Sequence, residues 1–291
     1  MTSLREKHQN RQFTVTAELD PPKSASSAVT EKQVEEIKGY VDAVNIADCP
    51  MAKLRMSPIA LSSIIQHKYG VESIFHLTCR DRNLIGLQAE LLGAYALGVR
   101  NILTLTGDPP SIGDHPHAKG VFETDSTGLI RAAKTLNDGT DWEGHPLGEP
   151  TDFYIGTTAN PGAEDLDKEI LRLEGKKKAG AGFIQTQPVY DLKDAERFLC
   201  AAKDLDLPIL LGIIPLKSAK MARYFNTNVP GVHVPDEILS AMENGNRDTG
   251  LEIAAETAIA LKEMGTAGIH LMPVNDIPAI PYIVERLRRT K

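Results

Sequence analysis

The sequence predicts an α/β protein of the (β/α)8 (TIM) barrel class, a single domain over residues 1–291 whose first twelve residues form a polar extension. Three observations predict it. Short apolar, β-branched runs recur along the chain, and they number eight. Stretches of helical periodicity separate them, the alternation that builds a parallel sheet wrapped by helices. Several of those stretches end in glycine immediately before the next apolar run, as in ALGVRNILTLTGD and KAGAGFIQTQP, which is how a helix stops and turns into a strand. A doubly wound open sheet is the alternative that the same alternation permits.

In chain order the expected strands are FTVTAEL (13–19), AVNIA (43–47), SIFHLT (73–78), NILTLTG (101–107), DFYIGTT (152–158), GFIQTQ (182–187), PILLGII (208–214) and AGIHLM (267–272). Between them, Thr30 followed by Glu31 to Ile37 reads as a capped helix start. Leu84 to Leu97 is rich in Leu, Ala and Gln, and Ala163 to Lys178 carries Leu166, Ile170, Leu171 and Leu173 at helical spacing. Gly98 and Gly180 close two of these helices. Two connections, 108–125 and 137–151, are long for a barrel, and loops of that length are often functional.

Hydrophobic residues make up 42% and charged residues 24%, so the chain can bury a large core and stay in solution. A net charge of -7 argues against nucleic acid and anionic membranes as partners, because phosphate contacts need a positive surface. Cys49, Cys79 and Cys200 are far apart and form no C-x-x-C pair, which suggests neither a disulfide framework nor a zinc site and fits a reducing cytoplasm. The polar start and the lack of a run of about 18 apolar residues predict a cytoplasmic protein without a signal peptide or membrane span.

Barrel chemistry collects where strands end, at the carboxyl face. Strand 1 ends in Glu18-Leu19-Asp20-Pro21-Pro22, and Glu18 is either a general acid whose surroundings raise its pKa or a carboxylate held by a cation. Strand 4 ends in Thr106-Gly107-Asp108-Pro109, where Gly107 allows close approach of a ligand and Asp108 projects at the rim or caps its own loop. Gln187 after strand 6 can donate and accept, suiting the edge of a heterocycle, or it ties strands together. Period-two geometry puts His76 and Thr78 on one face of strand 3, with Leu77 and Cys79 on the other. Asp114, His115 and His117 lie in a loop without metal-ligand spacing, so no metal is expected. Lys176 to Lys178 reads as a solvated helix end.

Taken together, AELDPP, HLTCRDRN, LTGDPP, TQPVYD, LGIIPL and GIHLMPVN, in this order, resemble the 5,10-methylenetetrahydrofolate reductase family, in the short bacterial form that is a catalytic barrel without a regulatory domain. The resemblance runs from about Phe13 to Leu287. It implies an oxidoreductase of one-carbon metabolism and methionine biosynthesis that makes 5-methyltetrahydrofolate by hydride transfer from NADH or NADPH through FAD. It also implies roles: Glu18 protonates N10 of the folate, Asp108 stabilises the iminium cation and tunes the flavin, and Gln187 binds the pterin. His76, Thr106, Gly107, Asp108 and Lys176 fall where the family contacts flavin or its phosphates.

The pattern departs at Ala47, where a flavin-binding Thr is common, at Gly156 (Tyr), at Asn160 (His) and at Ala219 (an aromatic residue). These departures leave open direct hydride transfer from the nicotinamide, or a folate-reducing subunit fed by an electron-carrier partner. No G-x-G-x-x-G fingerprint announces a Rossmann-type nicotinamide site. A lyase would want a Schiff-base lysine at a strand end, and none of the eight runs contains lysine. Barrels of this kind often associate, so a homo-oligomer is expected.

Overall fold

Eight parallel strands close on themselves in sequence order, β1 pairing with β2 through to β8, which returns to β1. The computed structural model describes residues 2–290. The strands are β1 (Thr14–Leu19), β2 (Ala43–Ile46), β3 (Glu72–Thr78), β4 (Asn101–Leu105), β5 (Tyr154–Ala159), β6 (Phe183–Pro188), β7 (Ile209–Ile213) and β8 (Gly268–Leu271). Their ends fall within two residues of the sequence expectation. The helices are α1 (Leu4–Gln9), α2 (Ala28–Ile37), α3 (Pro58–Tyr69), α4 (Leu84–Ala96), α5 (Ser126–Asn137), α6 (Leu166–Ala179), α7 (Leu192–Ala202), α8 (Ala219–Asn228), α9 (Asp236–Asn244), α10 (Arg247–Glu263) and α11 (Ala279–Arg289). The main core lies between strands and helices, where side chains such as Val44, Ile46, Leu211 and Ile269 meet Val34, Leu61, Leu261 and Ile283. Leu77 and Cys79 point outward into a second such cluster, while His76 and Thr78 face inward, as the period of two requires.

Two sequence expectations need correction. Thr30 is not a cap. Helix α2 begins two residues earlier; Ser27 at its N-cap donates its hydroxyl to Glu31, and Thr30 is a buried helical residue bonded to the Asp20 carbonyl. The polar extension folds as a helix, for which no strand or helix was expected: Ser3 and Glu6 form a reciprocal capping box that starts α1. Leu4 is fully buried at the amino end of the barrel, against Ala43, Ile74, Leu103, Phe183 and Leu210. His8 bridges Tyr154 Oη at 2.8 Å and Thr14 Oγ1 at 3.0 Å. Burial pushes the His8 imidazole down to about 4 against the opposing charge of Asp42.

The barrel interior is therefore layered. An apolar floor closes the amino end, and a polar layer of Thr16, Asn45, Gln185 and His270 lies above it, all buried. The long connection 137–151 follows α5 and precedes β5, so it belongs to the amino face, where Asn137 fastens Thr151 and Phe153. The other long connection, 108–125, follows β4 and lies at the carboxyl face. A cavity of about 750 Å³ opens at the amino face beside His8 and Tyr154. A smaller one, of about 340 Å³, lies at the carboxyl face and contains the strand-end residues, where a barrel assembles its chemistry.

Candidate active site

The carboxyl-face cavity is lined by Glu18 from β1, Ala47 after β2, His76 and Thr78 from β3, and Thr106, Gly107 and Asp108 after β4. Gln185 and Gln187 from β6 and His270 from β8 complete it. Parallel strands in register bring these positions to one height: Glu18 pairs with Asn45, and Thr16 pairs with His270. A second cavity of about 330 Å³ adjoins it, and Glu18 and Met272 line both.

Glu18 sits at the floor, 30% exposed, with Oε2 3.7 Å from Nε2 of His270 and 4.0 Å from Nε2 of His76. Burial works to raise its carboxyl, but the facing imidazoles, His270 foremost, outweigh it and hold the group below its ordinary value. Of the two sequence readings of Glu18, the one in which the surroundings raise its pKa is not what these neighbours provide, and imidazoles rather than an Arg or Lys face it. His76 itself is held down to about 4 by burial, with the charge of Glu18 opposing. Asp20, just beyond, is raised by burial and by the charge of Glu18, with Arg55 opposing.

Asp108 caps a neighbouring loop rather than its own: Oδ2 accepts the Met51 amide at 3.1 Å. That amide belongs to a tight turn, Pro50–Ala52, in which Met51 and Ala52, like the preceding Cys49, have positive φ. Gly107 has φ +93, and a Cβ there would lie 2.9 Å from the Thr78 Cβ. Its need for glycine thus arises within the chain, before any ligand arrives. Thr106 accepts the Ser126 amide at the start of α5. Gln187 is exposed at the rim, and among the described residues its side-chain amide has no hydrogen-bond partner. Behind this wall, Asp48 accepts from the Thr78 amide and hydroxyl and pairs with Arg82 at 3.0 Å, fixing the HLTCRDRN segment.

Lys176 does not line the cavity. It is buried on α6, and Nζ donates to the Thr158 carbonyl at 2.9 Å, so it stands behind the β5 wall. Burial and Arg172 push its amine down to about 8, with Glu169 and Asp125 opposing. The family departures divide in the same way. Ala47 is on the cavity wall. At Gly156 a Cβ would lie 2.3 Å from the Phe183 ring, which fills the barrel there. Asn160 braces the loop at Pro230, and Ala219 opens α8 outside the lining.

Three residues escaped the sequence reading: Asn45, Gln185 and His270. Asn45 and Gln185 form a reciprocal amide pair at 2.7 and 3.1 Å, and Gln185 Nε2 reaches Thr16 Oγ1 at 3.0 Å. For Asn45 and His270 the signal was a polar residue inside an otherwise apolar run, and for Gln185 its inward alternation with Gln187 in FIQTQ. Among the described residues no group of three or more His, Cys, Asp and Glu is placed to hold a metal, and no helix is long and apolar enough to cross a membrane.

These features define a (β/α)8 barrel with a polar, ligand-sized pocket at the face where barrel enzymes act. Within that class, the chain belongs to the methylenetetrahydrofolate reductase family, whose model matches residues 3–288. It is 29% identical to methylenetetrahydrofolate reductase 1 of Schizosaccharomyces pombe over 77% of this chain, a match spanning only 37% of that protein's length. It is 26% identical to 5,10-methylenetetrahydrofolate reductase of Salmonella typhimurium, covering 72% of this chain and 68% of the relative. An uncharacterized protein from Clostridium thermocellum that binds two copies of 5-methyl-5,6,7,8-tetrahydrofolic acid shares the fold, with TM-score 0.63 over 98% of both chains at 17% identity.

Proposed function

We propose that this chain reduces 5,10-methylenetetrahydrofolate to 5-methyltetrahydrofolate, drawing hydride from NADH or NADPH by way of FAD, with Glu18 as the proton donor to N10. Family membership supports the reaction. The observation that carries the residue roles is that Glu18, Asp108 and Gln187, from three separate strands, line one cavity.

The chemistry asks for this set. The five-membered ring must open before hydride can arrive: the bond from the methylene carbon to N10 breaks, N10 takes a proton, and a 5-iminium cation remains. Glu18 supplies that proton. It is held low in the open pocket, and a bound pterin that excludes water raises it toward the protonated form. Asp108, anchored by the Met51 amide, offers the negative charge that the cation needs. Gln187 binds the pterin edge with an amide that no other group competes for.

In the cavity of about 340 Å³, His76, Thr106, Gly107 and Asp108 would hold the flavin ring, and the adjoining cavity of about 330 Å³ continues past Glu18. FAD, when bound, carries hydride between nicotinamide and folate. Lys176 would meet its diphosphate by exchanging the Thr158 carbonyl for phosphate. Hydride passing directly from the nicotinamide is the second reading, and it is favoured by Lys176 being turned to Thr158 and by Ala47 on the wall.

The test is Glu18→Gln. It is expected to keep reduction of flavin by NAD(P)H while lowering folate reduction by about 10²- to 10⁴-fold. An equal fall in both half-reactions removes the acid role. A flavin band near ~450 nm in the purified protein supports FAD as the hydride carrier, and a colourless protein that still oxidises NAD(P)H with folate supports direct transfer.

A further inference from the structure

The amide pair beneath the cavity fixes the two imidazoles that face Glu18 in opposite senses. Gln185 Oε1 accepts from Asn45 Nδ2, and the two hydrogens of Gln185 Nε2 go to Asn45 Oδ1 at 3.1 Å and Thr16 Oγ1 at 3.0 Å. The Thr16 hydroxyl lies 2.9 Å from Nδ1 of His270. The Thr16 hydroxyl accepts from Gln185 and turns its own hydrogen to Nδ1, the nearer of its two acceptors, so the His270 ring proton belongs on Nε2, the atom aimed at Glu18. His76 is set the other way: Asn45 Nδ2 donates to its Nε2 at 3.0 Å, so that atom is an acceptor and offers Glu18 no hydrogen.

We propose that His270 is a positioning residue for the Glu18 proton transfer, locked by Thr16, Gln185 and Asn45 as an Nε2–H donor that closes on the Glu18 carboxylate as it forms. At 3.7 Å the pair is too long for a hydrogen bond, and the contact tightens when the carboxyl gives its proton to the substrate. The bond is then stronger after proton transfer than before it, which is the condition for accelerating the step. The proton moves from Glu18 to N10, and at His270 only a hydrogen bond is gained. The charged and titratable surroundings of Glu18 are few. His76 faces it from β3 with Asp48 behind, His270 from β8, and Asp20 from beyond its own strand with Arg55 on the far side. The neighbours from β2 and β6, Asn45 and Gln185, are uncharged.

The inference rests on the acid role of Glu18, and its test separates the two. Folate reduction requires protonated Glu18, so its pH profile falls on the alkaline side. His270→Leu removes the donor and is expected to move that fall upward by about one pH unit and to lower the acid plateau by roughly tenfold, whereas His270→Gln, which keeps an N–H at similar reach, restores the wild-type position. A profile that stays put in both variants overturns the proposal. Should His270→Leu not fold, ¹⁵N-histidine NMR of the wild type decides: Nε2 protonated and Nδ1 bare upholds the assignment, and the reverse tautomer overturns it. If Glu18→Gln retains full folate reduction, the acid reading falls, and the NMR tautomer still reports on the His270 lock by itself.

Discussion

The ammonium of Lys176 donates a 2.9 Å hydrogen bond to the carbonyl of Thr158, a residue whose other side lines the carboxyl-face cavity. An amine held down to about 8 by burial gains from an incoming anion, which favours its charged form. Lys176→Met is therefore expected to weaken FAD about tenfold, roughly 1.4 kcal/mol, in a fluorescence titration. An unchanged affinity assigns the amine to the β5 wall.

The floor of the barrel makes a separate prediction about acid. His8 and His76 are both held near 4 in the folded chain, against an ordinary value of 6.5. Between those values the unfolded chain binds protons that the folded chain refuses, so stability is whole above 6.5 and is lost as pH falls toward 4. Each buried imidazole accounts for up to about 3 kcal/mol. The Tm is expected to drop steeply across this window, and His8→Asn should make the slope shallower. A slope that His8→Asn leaves unchanged would count against a neutral imidazole at the barrel floor.

Most of the architecture was legible because strand runs and their spacing are one-dimensional patterns, and the strand ends name the cavity wall directly. Glu18, Asp108 and Gln187 could be found that way. The extension hid its purpose: only Leu4 and His8 of α1 are buried, too few to show a periodicity. The polar layer hid for a different reason. Asn45 and His270 each stand alone among apolar residues and Gln185 beside Thr186, and their partnership exists only once barrel closure brings strands 2, 6 and 8 together. The two readings of Glu18, raised pKa or partnered carboxylate, could not be separated from its own strand, since the imidazoles that face it come from strands 3 and 8. Gly107 was rightly singled out, though for a ligand rather than for the packing of its own chain.

That packing at Gly107 can be measured. The residue turns the chain at φ +93 as β4 leaves the sheet, and a methyl group there would lie 2.9 Å from the Thr78 Cβ and 3.2 Å from the Arg80 Cβ. Neither neighbour can give way easily. Thr78 is tied to Asp48 through its amide and its hydroxyl, and Arg80 is buried with its guanidinium on Asp81. Gly107→Ala must therefore adopt an unfavourable φ as well as displace a fixed strand end. It is expected to destabilise the fold by about 1–3 kcal/mol in urea titrations. It is also expected to weaken ligand binding in the cavity, because the displaced turn carries Asp108. Gly144 has φ +88, but a Cβ added there would meet no atom within 4 Å, so Gly144→Ala isolates the backbone strain and the excess at Gly107 reports the clash. Equal losses at the two positions would mean that the Thr78 contact relaxes freely and that Gly107 is required by its backbone angle alone.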